Sequence, residues 1–276
     1  MTVRGKVALI VGASGAIGSA IAHEFAREGA AVALASRLSS VSGLVKQIGA
    51  TGARCMQVEM DVTCPETIAR AIGAVERGFG SVEILVNATG AYGPIGPVEQ
   101  NDPAHWARAV EINVTGAFNV VHAILPSMLQ GRTGRIVHFS GGGGAYGRPF
   151  FSSYSACKAA IVRFTECIAM ELKDKNIYVN VIAPGPVKSA MWEELRAASS
   201  LAGEDALREL NEMDATGGVS AQRAARLALM LAGTPVPITG RLISVVWDDW
   251  EHLDQHFTSL LNSDTWTLRR VSIGGK

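Results

Sequence analysis

Tyr154 and Lys158 stand four residues apart in an apolar, periodic segment that runs on to about Leu172. In a helix this spacing puts both side chains on one face, one turn apart. A phenol titrates near pH 10 and is a poor proton carrier at neutral pH. A neighbouring ammonium favours the phenolate, lowers that pKa and brings the hydroxyl into range for general acid–base work. The pair alone also fits a solvated helical face, so its setting decides. Just upstream an apolar run, 134–139, ends at Ser140 and four glycines, 141–144. The natural reading is strand, glycine-rich loop, helix, with Tyr154 and Lys158 near the start of the helix.

A second stretch able to bind rather than react is Gly12-Ala13-Ser14-Gly15-Ala16-Ile17-Gly18, between a strand-like run and a helical pattern. Glycines let a backbone approach phosphates closely. A helix N-terminus adds N–H donors and a positive dipole end, as at the pyrophosphate of a dinucleotide in a Rossmann-type turn. After the next strand come Ser36 and Arg37. A carboxylate there would accept hydrogen bonds from the adenosine ribose of NAD. Arg37 instead offers a planar cation suited to a 2′-phosphate, which favours NADP(H), with a solvated loop cation as the competing reading. Asp61 ends a third strand and Asn87-Ala88-Thr89-Gly90 a fourth, at the carboxyl edge where open α/β sheets bind ligands.

These residues need elements to hold them. Strands are expected over 6–11, 31–36, 54–60, 82–87, 134–140, 177–183 and 241–247. Helices are expected near 16–28, 40–49, 65–78, 103–130, 153–174, 191–213 and 220–232. Strands apolar on both faces, alternating with helices, imply a Rossmann-like, doubly wound, seven-stranded parallel sheet covered on both sides. With 276 residues and 48% hydrophobic content, the chain can bury one large core. The expected organisation is one catalytic domain over 1–247 and an extension over 248–276. A net charge of zero and the lack of a basic run exclude nucleic acid and anionic membrane as partners. No leader-like segment and no apolar run near 18 residues stands out. Four cysteines without metal-ligand spacing point to core thiols in a reducing compartment, so no metal and a cytoplasmic location are expected.

The ordered set of glycine turn, Asp61-Val62, Asn87-Ala88-Thr89-Gly90, Asn113, Tyr154-x-x-x-Lys158 and Pro184-Gly185 resembles the short-chain dehydrogenase/reductase family over about residues 5–247. The resemblance implies an NADP(H)-dependent oxidoreductase interconverting a carbonyl and a secondary alcohol, as a homodimer or homotetramer. It implies that Gly12, Ser14, Ile17 and Gly18 hold the pyrophosphate. Asp61 and Val62 would meet the adenine, and Asn87 and Gly90 the adenosine ribose region. Tyr154 would be the acid/base. Lys158 would bind the nicotinamide ribose, and Asn113 would hold a proton-relaying water. Pro184, Gly185 and Val187 would face the nicotinamide, with Ser189 near its carboxamide.

Five positions depart from the family pattern: Val11, Ala16, the pair Ala88-Thr89 and, most consequentially, Gly141. The family's carbonyl-binding serine lies thirteen residues before the tyrosine, where this chain has glycine. Ser140, one place earlier, is the expected stand-in, with the Gly141 and Gly142 amides or a water as competing donors. Met191 and Trp192 are pocket candidates. Tyr146, Phe150 and Phe151 either line the pocket or pack the loop, and Arg148 reads as a loop cation. A non-catalytic NADP-binding sensor is the alternative function, motivated by Gly141. NADPH consumption with ketones and aldehydes separates the two. The three tryptophans after residue 246 are expected to pack on the core or across an oligomer interface.

Overall fold

The computed structural model describes residues 2–37 and 41–270. The first residue of the helix expected over 40–49 and the last six of the extension lie outside them. Strands β1 (Val7–Val11), β2 (Ala31–Ser36), β3 (Cys55–Glu59), β4 (Ile84–Asn87), β5 (Gly134–Phe139), β6 (Ile177–Ala183) and β7 (Leu242–Ser244) form one sheet in the order β3-β2-β1-β4-β5-β6-β7. Every pairing is parallel. The order reverses between β1 and β4, and a crevice opens at the carboxyl ends of those strands.

Each strand is apolar on both faces because each face meets a helical layer. Within β1, Ala8 and Ile10 enter one core while Leu9 and Val11 enter the other. The first core is closed by α1 (Ala16–Arg27) and α9 (Ala221–Gly233), through residues such as Ile21, Phe25, Leu227 and Leu231. The second is closed by α3 (Pro65–Phe79), α5 (Gly116–Gly131) and α6 (Ser152–Leu172), through Ile68, Val120, Ile124, Ile168 and Leu172. A short helix, α2 (Ser42–Gly49), joins β2 to β3.

Three stretches differ from the sequence expectation. The helix expected over 103–130 is α4 (Pro103–Val110), a π-helical turn at Glu111–Thr115, and α5. The run Pro103–Gly131 is long and apolar enough, by length and composition alone, to cross a membrane. In the fold Val120, Val121, Ile124 and Met128 lie buried in the second core. The stretch 191–213 divides into α7 (Ala190–Ala197) and α8 (Gly203–Thr216) around a 3-10 turn at Ser199–Leu201, where Gly203 adopts φ +77°. The last strand stops at Ser244, whose hydroxyl accepts from the amides of Val246 and Trp247 at 3.2 and 3.1 Å and curls the chain into a turn.

The extension packs on its own chain through Trp250 and Trp266, whereas Trp247, expected to pack with them, is 72% exposed. The extension contains α10 (Leu253–Asn262), and Trp250, Leu253 and Leu260 are buried in the first core. Trp250 Nε1 donates to the Val245 carbonyl at 3.1 Å. The Leu242 amide donates to the Trp266 carbonyl at 2.7 Å, and the Leu268 amide to Glu166 Oε1 at 2.8 Å.

Candidate active site

Two cavities meet above the carboxyl edge of the sheet. The first, about 340 Å³, is a groove over the turn between β1 and α1. Gly12, Ser14, Ile17, Gly18, Arg37, Asp61, Val62, Gly90 and Ser189 all border it. Two glycines there are dictated by space. A Cβ on Gly18 would lie 2.3 Å from the Gly12 carbonyl oxygen. Gly12 adopts φ +80°, and a Cβ there would lie 3.0 Å from the Ala88 backbone. The turn is therefore pressed against both the helix start and the loop after β4, leaving amides and the α1 N-terminus open to the groove.

Three observations fit a dinucleotide here. The groove runs along a glycine turn at a helix N-terminus, beside the switch point. Thr89 Oγ1 is buried in its wall with no hydrogen-bond partner among the described residues. Arg37 and Arg108 bring cations to the end where Asp61 stands. The Asp61 carboxylate accepts from the Thr63 amide at 2.9 Å and the Thr63 hydroxyl at 2.7 Å. Those bonds, and then the charges of Arg108 and Arg37, hold its carboxyl below the usual range. Asn87 is not part of the groove wall. It is buried, and its Oδ1 accepts from the Thr89 amide at 3.3 Å, shaping the loop instead.

The second cavity, about 520 Å³, adjoins the first through Ile17, Ser189 and Met191. Tyr154, Ser140, Gly141, Gly142, Pro184, Gly185 and Val187 border it. Tyr154 and Lys158 lie on one face of α6, with Lys158 Nζ 5.5 Å from the centre of the phenol ring. Lys158 Nζ donates to the Phe139 carbonyl at 3.0 Å. A Cβ on Gly90 would lie 3.2 Å from Lys158 Nζ and 3.4 Å from Asn113 Oδ1, so the two groups converge on that glycine. Asn113 occupies the π-helical turn. Its Nδ2 donates to the carbonyls of Ala91 and Ala109 at 2.9 and 2.8 Å, and its Oδ1 accepts from the Ala91 amide at 3.3 Å. These bonds fix the Gly90 loop over Lys158.

Burial sets the titration of this cluster. Lys158 is pushed down to about 8 because its charged form is desolvated. The expectation that the ammonium lowers the phenol is reversed: burial pushes Tyr154 above its ordinary value, and the neighbouring Tyr92 adds to this. The ring of Tyr92 lies 4.7 Å from that of Tyr154, tilted by 57°. At neutral pH the phenol is therefore protonated and the lysine mostly cationic, an arrangement suited to giving a proton. His138, buried on β5, is pushed down to about 4, first by burial and then by the Lys158 charge, so it is neutral beside that cation.

The glycine loop explains Gly141. A Cβ at residue 141 would lie 2.3 Å from Tyr154 Oη, so the phenol hydroxyl occupies the room a side chain would need. Ser140 is buried on the same cavity, but its Oγ donates to the Lys158 carbonyl at 3.4 Å. That bond ties the end of β5 to α6. Gly144 packs on Ser140, where a Cβ would lie 2.1 Å from Oγ.

The remaining candidates divide. Tyr146, Met191 and Trp192 border the second cavity. Phe151 is buried beneath Tyr92, and Phe150 packs on Gly203 at φ +67°. Arg148, expected as a loop cation, is mostly buried instead. It is ion-paired with Glu209 of α8 and stacked 4.0 Å over the Phe151 ring. Tyr92 and Glu209 are cavity residues that the sequence did not single out, while Trp247 and Trp266, expected only to pack on the core or an oligomer interface, border the cavity as well.

The short chain dehydrogenase family model matches residues 6–200. The chain is 34% identical over 197 residues to 3-oxoacyl-(acyl-carrier-protein) reductase FabG of Thermotoga maritima, covering 71% of this chain and 79% of the relative. It is 36% identical over 210 residues to oxidoreductase UcpA of Escherichia coli, covering 76% and 79%. Among solved structures, an actinorhodin polyketide ketoreductase with NADPH aligns at TM-score 0.80 and 28% identity, over 87% of this chain and 95% of that one. An NAD+-bound xylitol dehydrogenase aligns at TM-score 0.81 and 28% identity, over 88% and 98%.

Proposed function

Since the chain belongs to the short-chain dehydrogenase family and is an oxidoreductase of CH–OH and C=O groups, we propose that it works with NADP(H), Tyr154 moving the proton. The nicotinamide, when bound, supplies or takes up the hydride. Tyr154 Oη gives its proton to the carbonyl oxygen as that oxygen gains negative charge, and the O–H bond of the alcohol forms as the phenol bond breaks. Lys158, cationic below about pH 8, stabilises the phenolate left behind. Asn113 fixes the loop over Lys158 and offers the path for reprotonation. With Ser140 bonded to Lys158, we assign the second donor at the carbonyl oxygen to the amides of Gly141 and Gly142, which border the cavity beside the phenol.

One observation carries the reading: a buried phenol, paired with a buried lysine on one helical face, borders the second cavity, which adjoins the glycine-turn groove through Ile17, Ser189 and Met191. Arg37 at the adenosine end of the groove, with FabG and the NADPH-bound ketoreductase among the similar proteins, supports NADP(H) over NAD(H). The NAD+-bound neighbour shows that the same fold also holds NAD, and Arg37 is the residue proposed to decide between them here. Asp61 and Val62 keep their proposed contacts in the groove, Ser189 at its junction, and Pro184, Gly185 and Val187 on the wall of the second cavity. Asn87 acts through the loop it shapes. The free cysteines Cys55, Cys64, Cys157 and Cys167 suit a reducing, cytoplasmic setting. A homodimer or homotetramer is proposed from the apolar residues exposed on α5 and α6, Phe118, Leu129 and Met170. The test is NADPH consumption over a panel of ketones and aldehydes. Consumption that depends on the carbonyl compound supports the reading. Tight NADPH binding with no turnover of any panel member refutes it in favour of a sensor.

A further inference from the structure

The second cavity differs from the first in what its walls offer. Deep in it stand the rings of Tyr154, Tyr92 and Trp192, and Trp266 of the extension lines it further along. At the mouth, Tyr146 and Trp247 face each other from two separate loops, with ring centres 6.2 Å apart and planes tilted by 47°. Both are exposed, Tyr146 at 52% and Trp247 at 72%, although large rings left in water forgo the burial that usually stabilises them. Optimal carbon contacts lie at about 3.5–4.0 Å. A flat ring slid between the pair therefore needs its centres about 7–8 Å apart, a parting of roughly 1–2 Å from the observed 6.2 Å. The 47° tilt must close as well, and both residues sit in irregular segments between helices and strands, where side chains are free to rotate and part.

The charges select further. Arg148 is the one cation among the described residues bordering this cavity, against Glu209, Glu212 and Asp248. It is already paired with Glu209 and pressed onto the Phe151 ring. A substrate carboxylate would have to break that ion pair and then meet three acids. A neutral substrate asks for neither. The volume, about 520 Å³, also takes in the walls at Pro184, Gly185, Val187 and Ser189 proposed for the nicotinamide, so the remainder suits a compact molecule of about two fused rings.

We infer that the cavity beside Tyr154 takes an uncharged, flat cyclic or aromatic ketone, gripped at its entrance between Tyr146 and Trp247. This rests on the oxidoreductase reading for which atom reacts, but not for what binds. Recognition is by stacking on two faces and by exclusion of anions.

Calorimetric titration of the NADP-saturated protein tests it without requiring turnover. The probes are α-tetralone, a tetralone carboxylate, and the open-chain methyl ketone of the same carbon number. The open-chain ketone is the more apolar and more flexible, so burial of area alone would favour it, while a flat slot favours the tetralone. The tetralone is expected to bind at least tenfold more tightly than either of the others. Trp247→Ala and Tyr146→Ala should each weaken tetralone at least fivefold and change the open-chain ketone less than twofold. Glu209→Gln, which leaves Arg148 unpaired, should strengthen the carboxylate at least tenfold. Equal affinities for the three probes, no binding of tetralone, or tetralone affinity unchanged in both aromatic variants would overturn the inference. NADPH consumption is scored separately. Selective tetralone binding without turnover sinks the catalytic reading alone, and ketone turnover without this selectivity sinks only the inference about the substrate.

Discussion

Gly141→Ala is the most informative single change, because the structure states its consequence in ångströms. Gly141 is not among the glycines with positive φ, so alanine is compatible with its backbone and the effect is steric. The added methyl would lie 2.3 Å from Tyr154 Oη and 3.2 Å from Cζ. Ordinary contact is about 3.5 Å, so the hydroxyl must retreat by about 1 Å. It cannot do so freely, since the centre of the Tyr92 ring stands 4.7 Å from that of the Tyr154 ring and α6 fixes the root of the side chain. A misplacement of about 1 Å at a reacting atom costs about 10²-fold in rate, equivalent to roughly 2.7 kcal/mol. We therefore expect kcat for a ketone turned over by the unaltered protein to fall about a hundredfold in Gly141→Ala, with NADP affinity within about twofold. Gly141→Ser carries the same first atom and should fall as well, despite supplying the hydroxyl usual in the family. Ser140→Ala, which touches only the tie to Lys158, should stay within about threefold. Steady-state NADPH oxidation with parallel fluorescence titration of cofactor reads all three. Unchanged turnover in Gly141→Ala, or a gain in Gly141→Ser, would refute the steric reasoning.

Arg37→Asp should invert cofactor preference, since a carboxylate repels a 2′-phosphate and accepts ribose hydroxyls. Competitive titration with NADP and NAD reads it, and equal dissociation constants in the unaltered protein would count against the assignment. Lys158 titrates at about 8 in the fold, against an ordinary 10.5. Ketone reduction should therefore decline as pH rises through about 8. Over pH 8–10 the unfolded chain binds the proton the folded lysine has released, so stability should rise with pH, and Lys158→Met should flatten that slope in denaturant titrations. Trp250→Ala removes a ring buried in the first core and its bond to the Val245 carbonyl. It should cost about 3–5 kcal/mol, read as a fall in the denaturation midpoint, and an unchanged midpoint would mean the extension adds nothing to the fold.

The sequence displays what is local. Apolar runs at strand length, the glycine spacing at residues 12–18 and the i, i+4 pair of Tyr154 and Lys158 are enough to lay out the sheet, the groove and the helical face that carries the phenol and the lysine. What it hides is set by contacts between distant segments. Arg148 reads as a loop cation because its partner, Glu209, lies 61 residues away on another helix. Trp266 reaches the cavity only because the extension folds back onto β7 through the Leu242 amide. Tyr92 follows a strand by a few residues in a loop without periodicity, and nothing local announces its stacking on Tyr154. The direction of the phenol shift was hidden for the same reason: spacing displays the ammonium but not the burial. The break of the long helix at Glu111–Thr115 is marked in the sequence only by Gly116 at its end, a residue helices also tolerate, although the turn is what aims Asn113 at Ala91.

The central claim is that Tyr154 transfers the proton while the groove holds the cofactor independently of it. Turnover of a responsive ketone by Tyr154→Phe, at saturating NADPH, tests that claim most directly. The phenyl ring keeps the packing against Tyr92 and removes only the hydroxyl. The rate should fall by the 10²–10⁴-fold typical of acid–base catalysis, with the NADPH dissociation constant unchanged. A variant that keeps more than about a tenth of the unaltered rate would contradict the account.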